Sequence, residues 1–238
     1  MQFASLATPT PAPPKAPPAA SSVVKPDGSD LPKKEATTGA ETTPKLDAGT
    51  APTVPDELLA QAREAKDYFD RANYREAEKS YEKMLSKAPN NVYILSNLGV
   101  VRFRSGKLKL AEEAFRKAIG IDPNDWISQC TLGIVLYSSG RDDDAINSLT
   151  KSLAINPKNA MAHNYLAIAA ARKGWYEAAQ KEEDTAIALD PNYADAYFNL
   201  GVIYATGQPP NKELARKNYQ RALKLGAEPD AALEQLIK

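Results

Sequence analysis

A proline recurs every 34 residues in this chain: Pro89, Pro123, Pro157 and Pro191, within "KAPNN", "GIDPND", "AINPKN" and "ALDPNY". Proline cannot continue a helix interior, and it restrains the residue before it. A chain interrupted on that beat cannot form one long helix, and its period is not the seven of a coiled coil. Other columns keep the same period. Gly99, Gly133 and Gly201 share one with Ala65 and Ala167; Gly106, Gly140 and Gly174 share another. Ala77, Ala111, Ala145 and Ala179 form a third, and Leu98, Leu132, Leu166 and Leu200 a fourth. Columns that agree on one period mark a repeated supersecondary unit.

Each unit divides into two stretches of helical periodicity, such as "VYILSNLGVVRFR" and "KLKLAEEAFRKAIGI", joined by "SGK" with Gly106 at the turn. Asparagines after the prolines suit the turn into the next helix. No stretch alternates as a strand would. Ordering one unit costs roughly 50 kcal/mol at about 1.5 per residue. Offsetting that takes roughly 2,000 Å² of buried apolar surface at about 25 cal/mol per Å². A lone helical hairpin cannot bury so much, so each unit must lean on its neighbours.

Residues 1–54 have a different texture, as in "TPTPAPPKAPPAASS". Their few large apolar side chains cannot offset the entropy of ordering, and a disordered Pro/Ala/Thr-rich linker is expected there. Residues 55–238 form the folded domain. Basic and acidic residues balance at 30 each, so the broad positive field of a nucleic-acid binder is missing. No apolar run approaches the ~18–20 residues of a membrane span, so direct membrane insertion is not expected. The start of the chain has no basic region like that of a signal peptide. One cysteine, Cys130, permits a reducing compartment without demanding one. The expected setting is therefore the cytoplasm or, if a signal lies outside this sequence, the periplasm or another extracytoplasmic space.

The columns resemble the tetratricopeptide repeat (TPR) family, whose 34-residue pattern is matched by "YFNLGVIY" and "AEEAFRKAIGIDP". Five units start near residues 58, 92, 126, 160 and 194, with a capping helix over 228–238. In the fifth, Pro209 and Pro210 lengthen the loop and set Ala215 two residues late. The resemblance implies an all-α, right-handed superhelical solenoid of antiparallel helix pairs, whose first helices line a concave groove.

Residue types that could carry chemistry have structural explanations. His163 is the only histidine, so no two-histidine metal site can form, and a packing role with satisfied ring nitrogens is expected. Cys130 has no histidine near it in sequence and reads as a small core or groove residue. "RDDDA" at 141–145 lacks calcium-loop spacing and begins a helix, where acids favour the dipole. "VRFRSGKLK" at 101–109 is basic, but Glu112 and Glu113 follow it. No catalytic residue, metal or cofactor is expected. Glu183 stands where Tyr81, Phe115, Leu149 and Tyr219 occupy its column. An unpaired buried carboxylate is costly, so partial exposure or a basic partner is expected.

The family places the groove at particular positions of each first helix. They map to Tyr93, Asn97, Val100, Phe103 and Arg104 in the second unit, and to Ile127, Thr131, Ile134 and Tyr137 in the third. The fourth contributes Met161, Asn164, Tyr165, Ile168 and Arg172; the fifth, Phe198, Asn199 and Val202. This set is apolar and rich in the aromatic and arginine side chains found at interfaces. The expected role is a protein-interaction scaffold holding a peptide or protein segment in the groove. The alternatives are a self-assembling module, hence a homo-oligomer, and a regulatory part of a larger enzyme or complex. Charge reversal at Ile134 and Tyr137 is expected to abolish capture without unfolding the array. The family's chaperone-tail clamp is not expected: of its five positions (Ala62, Lys66, Asn97, Ile127 and Thr131), only Asn97 matches.

Overall fold

Every proline of the 34-residue beat falls two residues past the end of a helix, and the next helix starts three residues later. The computed structural model describes residues 54–238. The linker expected over 1–54 lies, apart from Val54, outside the described residues. After a 3-10 turn at Asp56–Leu58 come α1 (Leu59–Asp70), α2 (Tyr74–Lys87), α3 (Val92–Arg104) and α4 (Leu108–Ile121). These are followed by α5 (Trp126–Ser138), α6 (Asp142–Ile155), α7 (Ala160–Arg172) and α8 (Tyr176–Leu189). The array closes with α9 (Ala194–Thr206), α10 (Lys212–Lys224) and the short α11 (Ala231–Leu236). The asparagines after the prolines do more than turn the chain. Asn91 and Asn159 cap α3 and α7 by accepting from the backbone N–H of Ile94 and Ala162, at 3.0 and 3.2 Å.

Left-handed backbone links the two helices of a unit. Gly106, Gly140 and Gly174 have φ of 77°, 75° and 80°, and in the first unit Ala72 occupies the same column at φ 57°. A Cβ in this region costs about 1–2 kcal/mol. Ala72→Gly should therefore raise stability by roughly 0.5–1 kcal/mol after the extra entropy of glycine is deducted. An upward shift of the thermal midpoint would show it.

Helices pack antiparallel within each unit, and each second helix packs on the first helix of the next unit. The glycine column sets the closeness of the pair: a Cβ on Gly99 would stand 2.7 Å from the Phe115 ring, and one on Gly133 2.6 Å from Leu149. The largest apolar cluster runs through α3 to α7, joining Phe103, Phe115, Ile134, Tyr137, Leu149, Tyr165 and Ile168. From α3 to α9, each first helix also touches the next first helix; successive second helices make no comparable contact. The closer spacing on one side curves the stack, with the first helices on the inner wall. Among neighbouring first helices, α1 and α3 alone lack this close contact.

Ion pairs repeat across the units as well. Lys107 meets Glu78, and one unit later Arg141 meets Glu112 through both carboxylate oxygens at 2.9 Å. Burial pushes both carboxyls upward, but their basic partners more than offset this and hold them below the usual range. At the far end, α11 buries Leu233 and Ile237 against Ala205, Ala215 and Tyr219. Tyr219 fastens it, accepting from the Asp230 N–H at 2.7 Å and donating to Glu234 at 3.1 Å.

Candidate functional site

The inner wall is not evenly open. On α3, Tyr93, Asn97, Val100 and Arg104 follow one another at helical spacing along one face, and all four retain solvent exposure. On α5 the equivalent stripe is Ile127, Thr131, Ile134 and Ser138. Its first residue is 49% exposed, yet Thr131 and Ile134 are buried at 3% and 1%. On α7, Met161 is half-buried and Arg172 exposed, but Asn164, Tyr165 and Ile168 between them are buried. On α9, Phe198 and Val202 are half-buried and Asn199 is buried. Phe103 and Tyr137 belong to the core.

Packing between units closes the middle of the wall. The Tyr137 and Tyr165 rings meet edge-on at 6.1 Å. The Arg172 guanidinium lies 4.6 Å from the centre of the Tyr137 ring, and its Nη1 donates to the Tyr137 carbonyl at 3.3 Å. Ile134 and Tyr137 are therefore interior residues. The expectation that charge could be placed on them without unfolding the array fails, because the charge would enter the core.

What remains accessible and apolar has its own period. Leu59, Tyr93 and Ile127 are 40%, 39% and 49% exposed, and Met161 continues the series half-buried. These four residues stand 34 apart near the starts of successive first helices. Leu59 was missed by sequence reasoning, although counting back one repeat from Tyr93 would have found it.

Glu183 differs from expectation in both respects. It is fully buried, and among the described residues no basic side chain pairs with it. Asn164 Nδ2 donates to both carboxyl oxygens at 3.0 Å, and Tyr193 in turn donates to Asn164 Oδ1 at 3.3 Å. Asn199 Nδ2 also favours the ionised carboxyl, but from a position short of full hydrogen-bond geometry. Burial dominates and drives the pKa well above the carboxylate range, with Asp195 and Asp184 adding to it. The sealed site therefore favours the protonated carboxylic acid over the carboxylate. Protonation satisfies the physics for which a basic partner was expected.

The other singled-out residues have structural roles. His163 Nδ1 is 2.6 Å from Glu182 and Nε2 is 3.0 Å from the Pro157 carbonyl. Both partners accept, so the protonated ring fits, and the Glu182 hydrogen bond raises its pKa despite burial. Burial pushes the Cys130 thiol up to about 12, leaving negligible thiolate. Asp142, Asp143 and Asp144 pair with Arg172, Lys173 and Arg141. Arg102 and Lys107 are engaged by Glu78. Among the described residues, no three His, Cys, Asp or Glu gather as a metal site, and no helix is long and apolar enough to cross a membrane.

Paired helices stacked at a fixed period, with one helix of each pair along a shared inner wall, define a helical repeat solenoid. The chain belongs to the tetratricopeptide repeat family, whose models match residues 62–125 and, in two further segments, 133–174 and 172–207. No curated protein matches it in sequence. Among solved structures, MamA is 24% identical with a TM-score of 0.61, over 71% of this chain and 91% of that one. YrrB, a TPR protein with an unusual peptide-binding site, is 22% identical with a TM-score of 0.59, over 75% and 90%. PilF of Pseudomonas aeruginosa is 19% identical with a TM-score of 0.65, over 73% and 78%. At these identities the likeness shows the fold.

Proposed function

We propose that the array is a protein-interaction scaffold that takes a peptide or protein segment against the inner wall of its first helices. The exposed row Leu59, Tyr93, Ile127 and Met161 carries this reading. A solvated face has no need of four apolar side chains on one period, whereas accessible apolar surface repeated in this way suits a partner site. YrrB, with the same fold, has a peptide-binding site. The buried groove residues then act as the floor that holds the accessible ones in place, and Val100, Arg104, Phe198 and Val202 contribute their partly open surfaces.

The test is partner capture with the full chain as bait, wild type against Tyr93→Ala/Ile127→Ala. Interface anchors are each worth about 2 kcal/mol or more, roughly 30-fold in affinity. The double variant should lose capture with only a small fall in melting temperature, since the two side chains are 39% and 49% exposed and belong to no core cluster. Capture that survives both substitutions would end the inner-wall reading.

A second apolar row favours self-association as the alternative. Ile121, Ile155 and Leu189 end successive second helices and are 41%, 38% and 38% exposed. Light scattering over a range of concentrations decides: pairing through this row gives a mass that rises with concentration and returns to one chain in Ile155→Asp.

A further inference from the structure

The apolar core is continuous through the first three units and reaches α7, then thins before the fifth unit. α3 gives Leu98 and Val101 to the cluster of the first unit and Phe103 to the central one, so large side chains tie these units together. The central cluster ends on α7 with Tyr165, Ile168 and Ala169. The terminal cluster begins on α9 and runs to α11. Between them, α8 is the one second helix among the described residues that buries no large apolar side chain: its buried residues are Ala179, Glu183 and Ala186. The two clusters are joined through Ala167, Ala170, Ala179 and Ile203, three of them alanines. In the third unit, Leu136 and Tyr137 hold the places of Ala170 and Ala171. The fourth unit lacks that bulk on both of its helices.

Polar groups fill the rest of this joint, and they favour one side of it. Asn164 and His163 hold Glu183 and Glu182 across the α7–α8 pair, at 3.0 and 2.6 Å, which keeps α8 with the fourth unit. Towards the fifth unit the polar matching is poorer. Asn199 Nδ2 on α9 is buried and makes no full hydrogen bond, and Tyr193 reaches Asn164 at 3.3 Å. α8 and α9 make the sparsest contact of any second helix with the first helix that follows it, whereas α7 and α9 still touch as α3 and α5 do. A solenoid is held by the sum of its neighbour interfaces, so the interface with the least buried apolar surface opens first. We infer that the array consists of two bodies, units one to four and the fifth unit with α11, hinged on the α7–α9 contact and able to part between α8 and α9. Met161 then stands on one body, and Phe198 and Val202 on the other. The hinge sets the angle between these parts of the inner wall, and a molecule lying across both would select one angle.

Distances between nitroxide labels on the full chain, measured by double electron–electron resonance, test the hinge. One pair of labels goes on Lys79→Cys/Asn147→Cys and the other on Asn147→Cys/Lys217→Cys. The three residues are exposed and hold one column of the second helices, so each pair runs from the third unit to an end unit across two repeats. Cys130 is buried and stays unlabelled. The first pair spans joints tied by large side chains, and the second spans the α8–α9 joint. The second distance distribution should be at least twice as wide as the first. Equal widths, or a wider first distribution, would overturn the inference. Ile203→Ala removes the one large side chain of the joint and should widen the second distribution alone. Widening of both distributions, or of neither, would show that the fifth unit does not move on this joint, and the hinge would be abandoned.

Discussion

Ile127→Asp and Ile134→Asp, one substitution made twice on the same helix, should give opposite results. The two isoleucines lie seven residues apart, two turns of α5, on the same stripe. Ile127 is 49% exposed, so an aspartate there stays hydrated, favours the start of the helix, and should change stability by no more than about 0.5 kcal/mol. Ile134 is 1% exposed in the cluster that ties α3 to α7. Removing its side chain costs about 2–5 kcal/mol, and burying a carboxylate adds several more. That sum rivals the about 5–15 kcal/mol that holds a whole domain folded. A solenoid is stabilised between nearest neighbours, so the damage should also uncouple the two ends. Urea or thermal unfolding of Ile134→Asp should therefore show loss of the central helices, with a split or broadened transition. A single wild-type-like transition in Ile134→Asp would mean that the inner wall opens at α5.

The contrast marks where reading the sequence stops. Proline and glycine columns act through backbone geometry, which is local. Pro123 ends α4 whatever surrounds it, and Gly140 makes its turn at φ 75° for the same reason. The units, their two helices and the inward-facing stripe were all legible on that account. The depth of the stripe was not. Whether Thr131 and Ile134 meet water depends on Tyr137, Tyr165 and Arg172, which crowd the wall from the same and the following unit. Repeat columns assign a residue its direction, but the size of its neighbours in the following unit decides its burial. The error at Glu183 has a related cause. A charged letter in an aromatic column suggests a search for a basic partner, and the actual partner, Asn164, lies 19 residues away on the facing helix.

The buried acid gives the array a pH dependence of definite sign. Unfolded, Glu183 titrates near the ordinary value of 4.5; folded, burial raises its pKa far above that. Between those two values the folded chain keeps a proton that the unfolded chain has released. Stability must then fall as pH rises, by up to about 1.4 kcal/mol for each pH unit in the window. Glu183→Gln preserves the shape of the protonated acid and its acceptor for Asn164, but it cannot ionise. The variant should match the wild type near pH 4.5 and exceed it increasingly as pH rises towards the raised folded value. His163 slopes in the same direction, its stabilisation being complete below the unfolded value and lost as pH rises through its raised pKa. That contribution is common to both proteins and cancels in their difference. Urea titrations of the two chains at half-unit pH steps measure the difference directly. Parallel stability curves from pH 4.5 to 8 would show that water reaches Glu183 or that a cation pairs with it, and the sealed contact between α7 and α8 would have to be given up.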